Sequence, residues 1–157
     1  MIALVPTRAE ITFSAACMGD LPALVDAVEQ ACRKAGADDE VLFSLRLAVE
    51  EVFTNILDYG YPGGTGPVTV HIDAQPGQLR ISFADAAPLF DPATVATPSL
   101  DAPLEQREIG GWGWHLVRQV MDGVEWEPRK QGGNLLTLVK SLAVASSSRR
   151  EANIDDH

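Results

Sequence analysis

The sequence is short of cysteine, histidine and positive charge. Its 157 residues include 2 cysteines and 3 histidines. Cys17 and Cys32 form no CxxC pair and no Cys/His cluster, which excludes a thiolate metal site of ordinary spacing. They read instead as buried or half-buried thiols in a reducing compartment. His71, His115 and His157 are scattered. Lys and Arg number 12 against 22 Asp and Glu, giving a formal net charge of -10 at pH 7. Such a chain lacks the basic footprint that non-specific nucleic-acid binding needs. No apolar run approaches the roughly 20 residues of a bilayer span. The opening stretch MIALVPTRAEITF has no basic leader followed by a long apolar segment, so no secretory signal is expected. A cytoplasmic protein that binds neither nucleic acid nor membrane is the expectation. No GK[ST] follows a glycine loop, which excludes a P-loop, and no strand leads into GxGxxG, which excludes a dinucleotide fingerprint.

What is present is an ordinary globular composition, 46% hydrophobic and 22% charged. It suits one domain, expected over residues 1–143, with the polar stretch 144–157 as a disordered tail. Residues 9–15 alternate and predict a strand. Asp20 is an N-cap candidate for a helix whose apolar residues Leu21, Leu24, Val25, Val28 and Ala31 recur at helical spacing until Gly36. A second helix after Asp38-Asp39 carries a broad apolar stripe from Val41 to Ile56, too wide for a surface helix. Glycines and Pro62 between Gly60 and Gly66 make a loop. Residues 68–72 and 79–83 alternate around Pro76-Gly77-Gln78 and predict a hairpin. A long acidic and proline-containing stretch runs to Glu108. Gly110, Gly111 and Gly113 open a third helix from Trp114 to about Met121. Strands 124–127 and 135–139 close the fold around Gln131-Gly132-Gly133. The expected fold class is α+β: a two-layer sandwich with a mixed, mostly antiparallel sheet and helices on one face.

With an excess of negative charge, a phosphate ligand would have to be held locally, by backbone N–H groups, helix N-termini and a divalent cation. Glu51 and Asn55 lie four apart on the second helix, hence on one face. A carboxamide oxygen is a competent Mg ligand. A carboxylate one turn away can orient water or accept a proton from a hydroxyl. Glu50 lies about 140° further round from Asn55, so Glu51 is the better candidate. Asp85 ends a strand before the small residues Ala86 and Ala87, where it could accept a hydrogen bond from an exocyclic amine. The glycines at 110, 111 and 113 would let backbone approach phosphate. Taken singly, each feature also reads as a polar helix face, a turn aspartate or a flexible loop. Trp112 and Trp114 read as packing residues, and Thr137 as a strand residue.

The order AVEEVFTNILDYGY, FADAAPLFDP, GGWGWHLVRQVMDGVEW, GGNLLTLVK resembles the GHKL ATPases across roughly residues 9–142. Within them it looks like the small stand-alone anti-sigma-factor serine/threonine kinases of the RsbW type. That resemblance implies the Bergerat fold, with ATP and Mg2+ as cofactors. It implies Asn55 as the Mg ligand, Glu51 as general base, Asp85 as reader of the adenine amine, and Gly111 and Gly113 as the phosphate-side glycines. It further implies Thr137 as a late threonine near adenine and a lid between Phe90 and Gly110. The implied partners are an anti-sigma-factor antagonist that would be phosphorylated and a sigma factor or other regulator that would be sequestered, with a homodimer expected. The chain departs from the pattern at Tyr59, where histidine is common, and at Ala87, where glycine is common. Trp112 and Trp114 replace smaller residues, and Arg107 is the nearest cation to Gly110. Two alternatives stay open: a binding module with little catalysis, motivated by Ala87 and the tryptophans, and a fold that no longer binds nucleotide.

Overall fold

The computed structural model describes residues 7–94 and 109–142, with the side chains of 109–112 excepted. The expected tail, Arg107 and most of the expected lid fall outside the described residues. The elements run β1 (Thr7–Ala16), α1 (Leu21–Lys34), α2 (Asp39–Asn55), β2 (Gly66–Gln75), β3 (Gln78–Asp85), α3 (Ile109–Val120), β4 (Gly123–Pro128) and β5 (Asn134–Ser141). Strand order is β1-β2-β3-β5-β4, and all four pairings are antiparallel. The α+β sandwich is therefore as expected, with the mostly antiparallel sheet antiparallel in every described pairing.

Local chemistry explains the helix ends. The Asp38 carboxylate accepts the Val41 N–H at 2.9 Å, and Asp39 and Glu40 place negative charge at the positive end of the helix dipole. Gly36 closes α1 with φ 95°, a conformation open to glycine. The Lys140 Nζ donates to the Val120 carbonyl at 2.7 Å and so caps the C-terminal end of α3.

Strand alternation sorts the sheet into two faces. Phe13, Val70, Ile72, Leu79, Ile81, Phe83, Leu136 and Leu138 face the helices and join Leu45, Val49, Val52 and Phe53 of α2 in one core. The Phe13 and Phe53 rings meet edge to face at 5.9 Å, which is worth about 1 kcal/mol beyond burial. The other face is polar: Arg80 pairs with Glu125 at 2.6 Å, Arg8 with Asp73 at 3.6 Å.

Cys32 lies inside this core with no exposure, and burial pushes its thiol from the ordinary 9.0 up to about 12. The thiol keeps its proton in the fold but ionises near pH 9 when unfolded. Its contribution is therefore complete below pH 9 and is lost as pH rises towards 12. Denaturant titrations should show roughly 3 kcal/mol of stability disappearing through this one group by about pH 11. Cys32→Ala should flatten that part of the profile; an unchanged slope would contradict the assignment. Burial also raises the Tyr61 hydroxyl, which acts in the same direction above pH 10.

Candidate functional site

Glu51 sits in the last full turn of α2 and Asn55 is its final residue; a π-helical turn, Ile56–Gly60, follows at once. Such wide turns are uncommon and cluster at functional sites. Facing them is Gly113 of α3. A methyl added to Gly113 would fall against the Glu51 carboxylate, 3.1 Å from its Cδ, and 3.8 Å from Asn55 Nδ2. A methyl there would displace the Glu51 carboxylate, and Glu51, Asn55 and Gly113 form one cluster. No atom of Glu50 is among the three nearest to that methyl.

The Asn55 Nδ2 is the one buried side-chain polar atom without a hydrogen-bond partner among the described residues. The two ends of a carboxamide are nearly interchangeable in shape, so its oxygen fits the same place when the group turns over. A buried amide end with no protein partner, beside a carboxylate, suits a group that binds a cation through oxygen.

The glycines expected to precede the third helix are inside it, because α3 starts at Ile109. Gly110, Gly111 and Gly113 cost about 1 kcal/mol each in helix propensity. Packing of α3 on α2 offsets that cost. Gly111 lies in the first turn, where backbone N–H groups have no intrahelical acceptor. Trp114 is buried and its ring meets Phe90 at 5.8 Å, a packing role.

Asp85 ends β3 and is 5% exposed. Its Oδ1 accepts three bonds: from Ala87 N at 3.0 Å, Asn134 N at 3.1 Å and Asn134 Nδ2 at 2.9 Å. No described residue bonds its Oδ2. The segment after Asp85 is tied in two places to the turn that follows α2. The Tyr61 hydroxyl accepts the Ala86 N–H at 2.8 Å and donates to the Pro67 carbonyl at 2.6 Å. Gly60, closing the π-helical turn, lies under the Ala87 methyl; a methyl on Gly60 would stand 2.8 Å from it. The turn that follows Asn55 and the segment that follows Asp85 are therefore packed together.

The Gly60 contact also accounts for Ala87. The extra methyl at 87 is buried against a residue that lacks one. Gly60→Ala should cost about 1–3 kcal/mol through overpacking. Ala87→Gly in the same chain should recover most of that loss. Thermal melts of the four combinations decide it: simply additive losses would remove the contact from the account.

Thr137 is a correction. It stands opposite Ser82, and their hydroxyls meet at 2.8 Å. Ser82 alternates with Ile81 and Phe83, so Thr137 points to the polar face, away from the helices and Asp85. Position within a strand decides this, and a shift of one residue changes the face. The residue that does reach Asp85 is Asn134, the first of β5. The signal for it was its place directly after the Gly132-Gly133 turn. Tyr59, at the position where histidine is common in the resembled family, is 68% exposed.

The description histidine kinase-like ATPase domain matches residues 13–140. Serine/threonine-protein kinase BtrW of Bordetella bronchiseptica is 29% identical over 106 residues, 66% of this chain and 73% of that protein. Serine-protein kinase RsbW of Listeria innocua is 28% identical over 97 residues, 59% of this chain and 62% of that protein. RsbW of Bacillus cereus is 26% identical over 85 residues, so the chain spans 53% of that relative's length. The solved structure of the RsbU and RsbW domains of a Mycobacterium tuberculosis protein shares the fold. It has a TM-score of 0.57 at 16% identity, over 84% of this chain and 32% of that one.

Proposed function

The chain belongs to the histidine kinase-like ATPase domain family, and from that premise we propose that it is an ATP-dependent serine/threonine protein kinase of the anti-sigma-factor type. Its substrate is a small antagonist protein, and it controls a second regulator by sequestration. The observation that carries the reading is the meeting of the Glu51 carboxylate, the Asn55 carboxamide and Gly113 in one cluster, with the segment after Asp85 tied to the turn that follows α2. The relatives named as serine-protein kinases support it.

In this reading Asp85 accepts the adenine amine, and Gly111 and Gly113 let the phosphates approach the backbone of α3. Asn55 would hold Mg2+, which would supply charge neutralisation for the phosphates. Glu51 accepts the proton of the attacking serine or threonine hydroxyl. The hydroxyl oxygen forms its bond to the γ-phosphorus as the bond to the β–γ bridging oxygen breaks, and ADP carries that electron pair away. The family resemblance adds the expectation of a homodimer.

The alternative, a binding module with little catalysis, rested on Ala87 and the tryptophans. The seating of Ala87 on Gly60 and the burial of Trp114 supply an ordinary packing reason for these two residues. The test is incubation of the protein with γ-labelled ATP, Mg2+ and the candidate antagonist. Label on a serine or threonine of the antagonist is expected. Unlabelled antagonist, with its binding demonstrated, would sink the kinase reading in favour of the module.

A further inference from the structure

We infer that Asn134 is the positioning residue for base recognition: it commits one oxygen of Asp85 to the protein and leaves the other to read the ligand. The inference rests on the adenine-binding reading above.

Every hydrogen-bonding site of the Asn134 side chain is used. Its Nδ2 donates to Asp85 Oδ1 at 2.9 Å and to the Pro88 carbonyl at 3.0 Å. Its Oδ1 accepts the Phe90 N–H at 2.9 Å and the Trp126 Nε1–H at 2.8 Å. The partners fix which end is which. Phe90 N and Trp126 Nε1 can only donate, and the Pro88 carbonyl can only accept, so a turned amide would lose all three bonds. The end that faces Asp85 is therefore the donor end. With the Asn134 and Ala87 backbone N–H groups, it brings three donors onto Asp85 Oδ1.

Two consequences follow for recognition. Oδ1 is saturated with three donors, which hold the plane of the carboxylate at one rotation. Oδ2 is then the acceptor left for an exocyclic N–H. The site accepts an amine and disfavours a carbonyl at that place, because a carbonyl would leave two acceptors opposed. Register places the pair: Ala84 stands opposite Leu135, so Asp85 and Asn134 are the next neighbours across β3 and β5. Asn134 also binds Pro88 and Phe90, so the turn leaving Asp85 is wrapped around the same amide.

The experiment compares the dissociation constants of ATP and inosine triphosphate, which carries a carbonyl where ATP carries the amine. Wild type is expected to prefer ATP by about 100-fold or more, the behaviour of a site built to bond an N–H. Asn134→Ala should reduce that preference by about tenfold, with most of the loss in ATP binding and little in inosine triphosphate binding. Trp126→Phe removes one donor to Asn134 Oδ1 without touching Asp85, and should keep the preference within a few-fold. If Asn134→Ala does not fold, Asn134→Ser carries the same comparison. A variant with lowered melting temperature but an unchanged preference shows a structural role only and overturns the inference. A wild type with no preference for ATP overturns the adenine reading itself, a separate outcome.

Discussion

Glu51→Gln is expected to reduce phosphoryl transfer by about 10²–10⁴-fold while ATP affinity stays within a few-fold. The substitution keeps the shape and length of the side chain but removes the basic oxygen. The Glu51 carboxylate lies against Gly113 and makes no hydrogen bond to the Asp85 cluster, so in this reading adenine binding does not depend on it. Gly113 makes the same point from the other side. A methyl there would press on the Glu51 carboxylate, a flexible chain end that can swing away, so the glycine protects the placing of a reactive group more than the fold. Glu50 serves as control: Glu50→Gln should leave transfer near the wild-type rate. Equal losses from both substitutions would contradict the assignment of the base to Glu51.

Gly133→Ala is expected to be strongly destabilising, costing about 4 kcal/mol or more. Two effects combine. Gly133 has φ 94°, which a residue with a Cβ adopts at a cost of about 1–2 kcal/mol. The added methyl would also run into the Asp85 carbonyl and stand 2.8 Å from Ala86 Cα, and this is backbone that cannot swing aside. The Asp85 carbonyl is further fixed by Arg129 Nη1 at 2.6 Å. Gly132 provides the comparison within the same turn. Its φ is 96°, but nothing lies within 4 Å of an added methyl. Gly132→Ala should therefore cost only the conformational term, about 1–2 kcal/mol. Urea denaturation of the two variants separates them, and equal midpoints would show that the close approach to Asp85 carries no energy.

How far the sequence revealed the site follows from what each residue depends on. Glu51 and Asn55 were legible because helical spacing alone puts i and i+4 on one face. Asp85 was legible as the end of an alternating strand next to small residues. The α+β class followed from hairpin signals between amphipathic helices. The pairing of Gly60 with Ala87 was not legible, since it joins a turn to a loop 27 positions away through packing alone. Thr137 was misplaced, because the face of a strand residue depends on where the ladder starts. β5 starts at Asn134 and pairs with β3 such that Thr137 meets Ser82. Asn134 escaped notice because an asparagine after two glycines reads as turn chemistry. Its role appears only once β3 and β5 are neighbours.

The central claim is that Asn55 and Asp85 are two ends of one Mg-ATP site. Calorimetric titration with ATP, with and without Mg2+, tests it most directly in wild type, Asn55→Ala and Asp85→Asn. Wild type should bind one ATP per chain, with affinity about tenfold or more higher when Mg2+ is present. Asn55→Ala should lose that Mg2+-dependent gain and keep the Mg2+-free affinity, whereas Asp85→Asn should lose affinity under both conditions. An Asn55→Ala protein that folds and retains the full Mg2+-dependent gain would contradict the account.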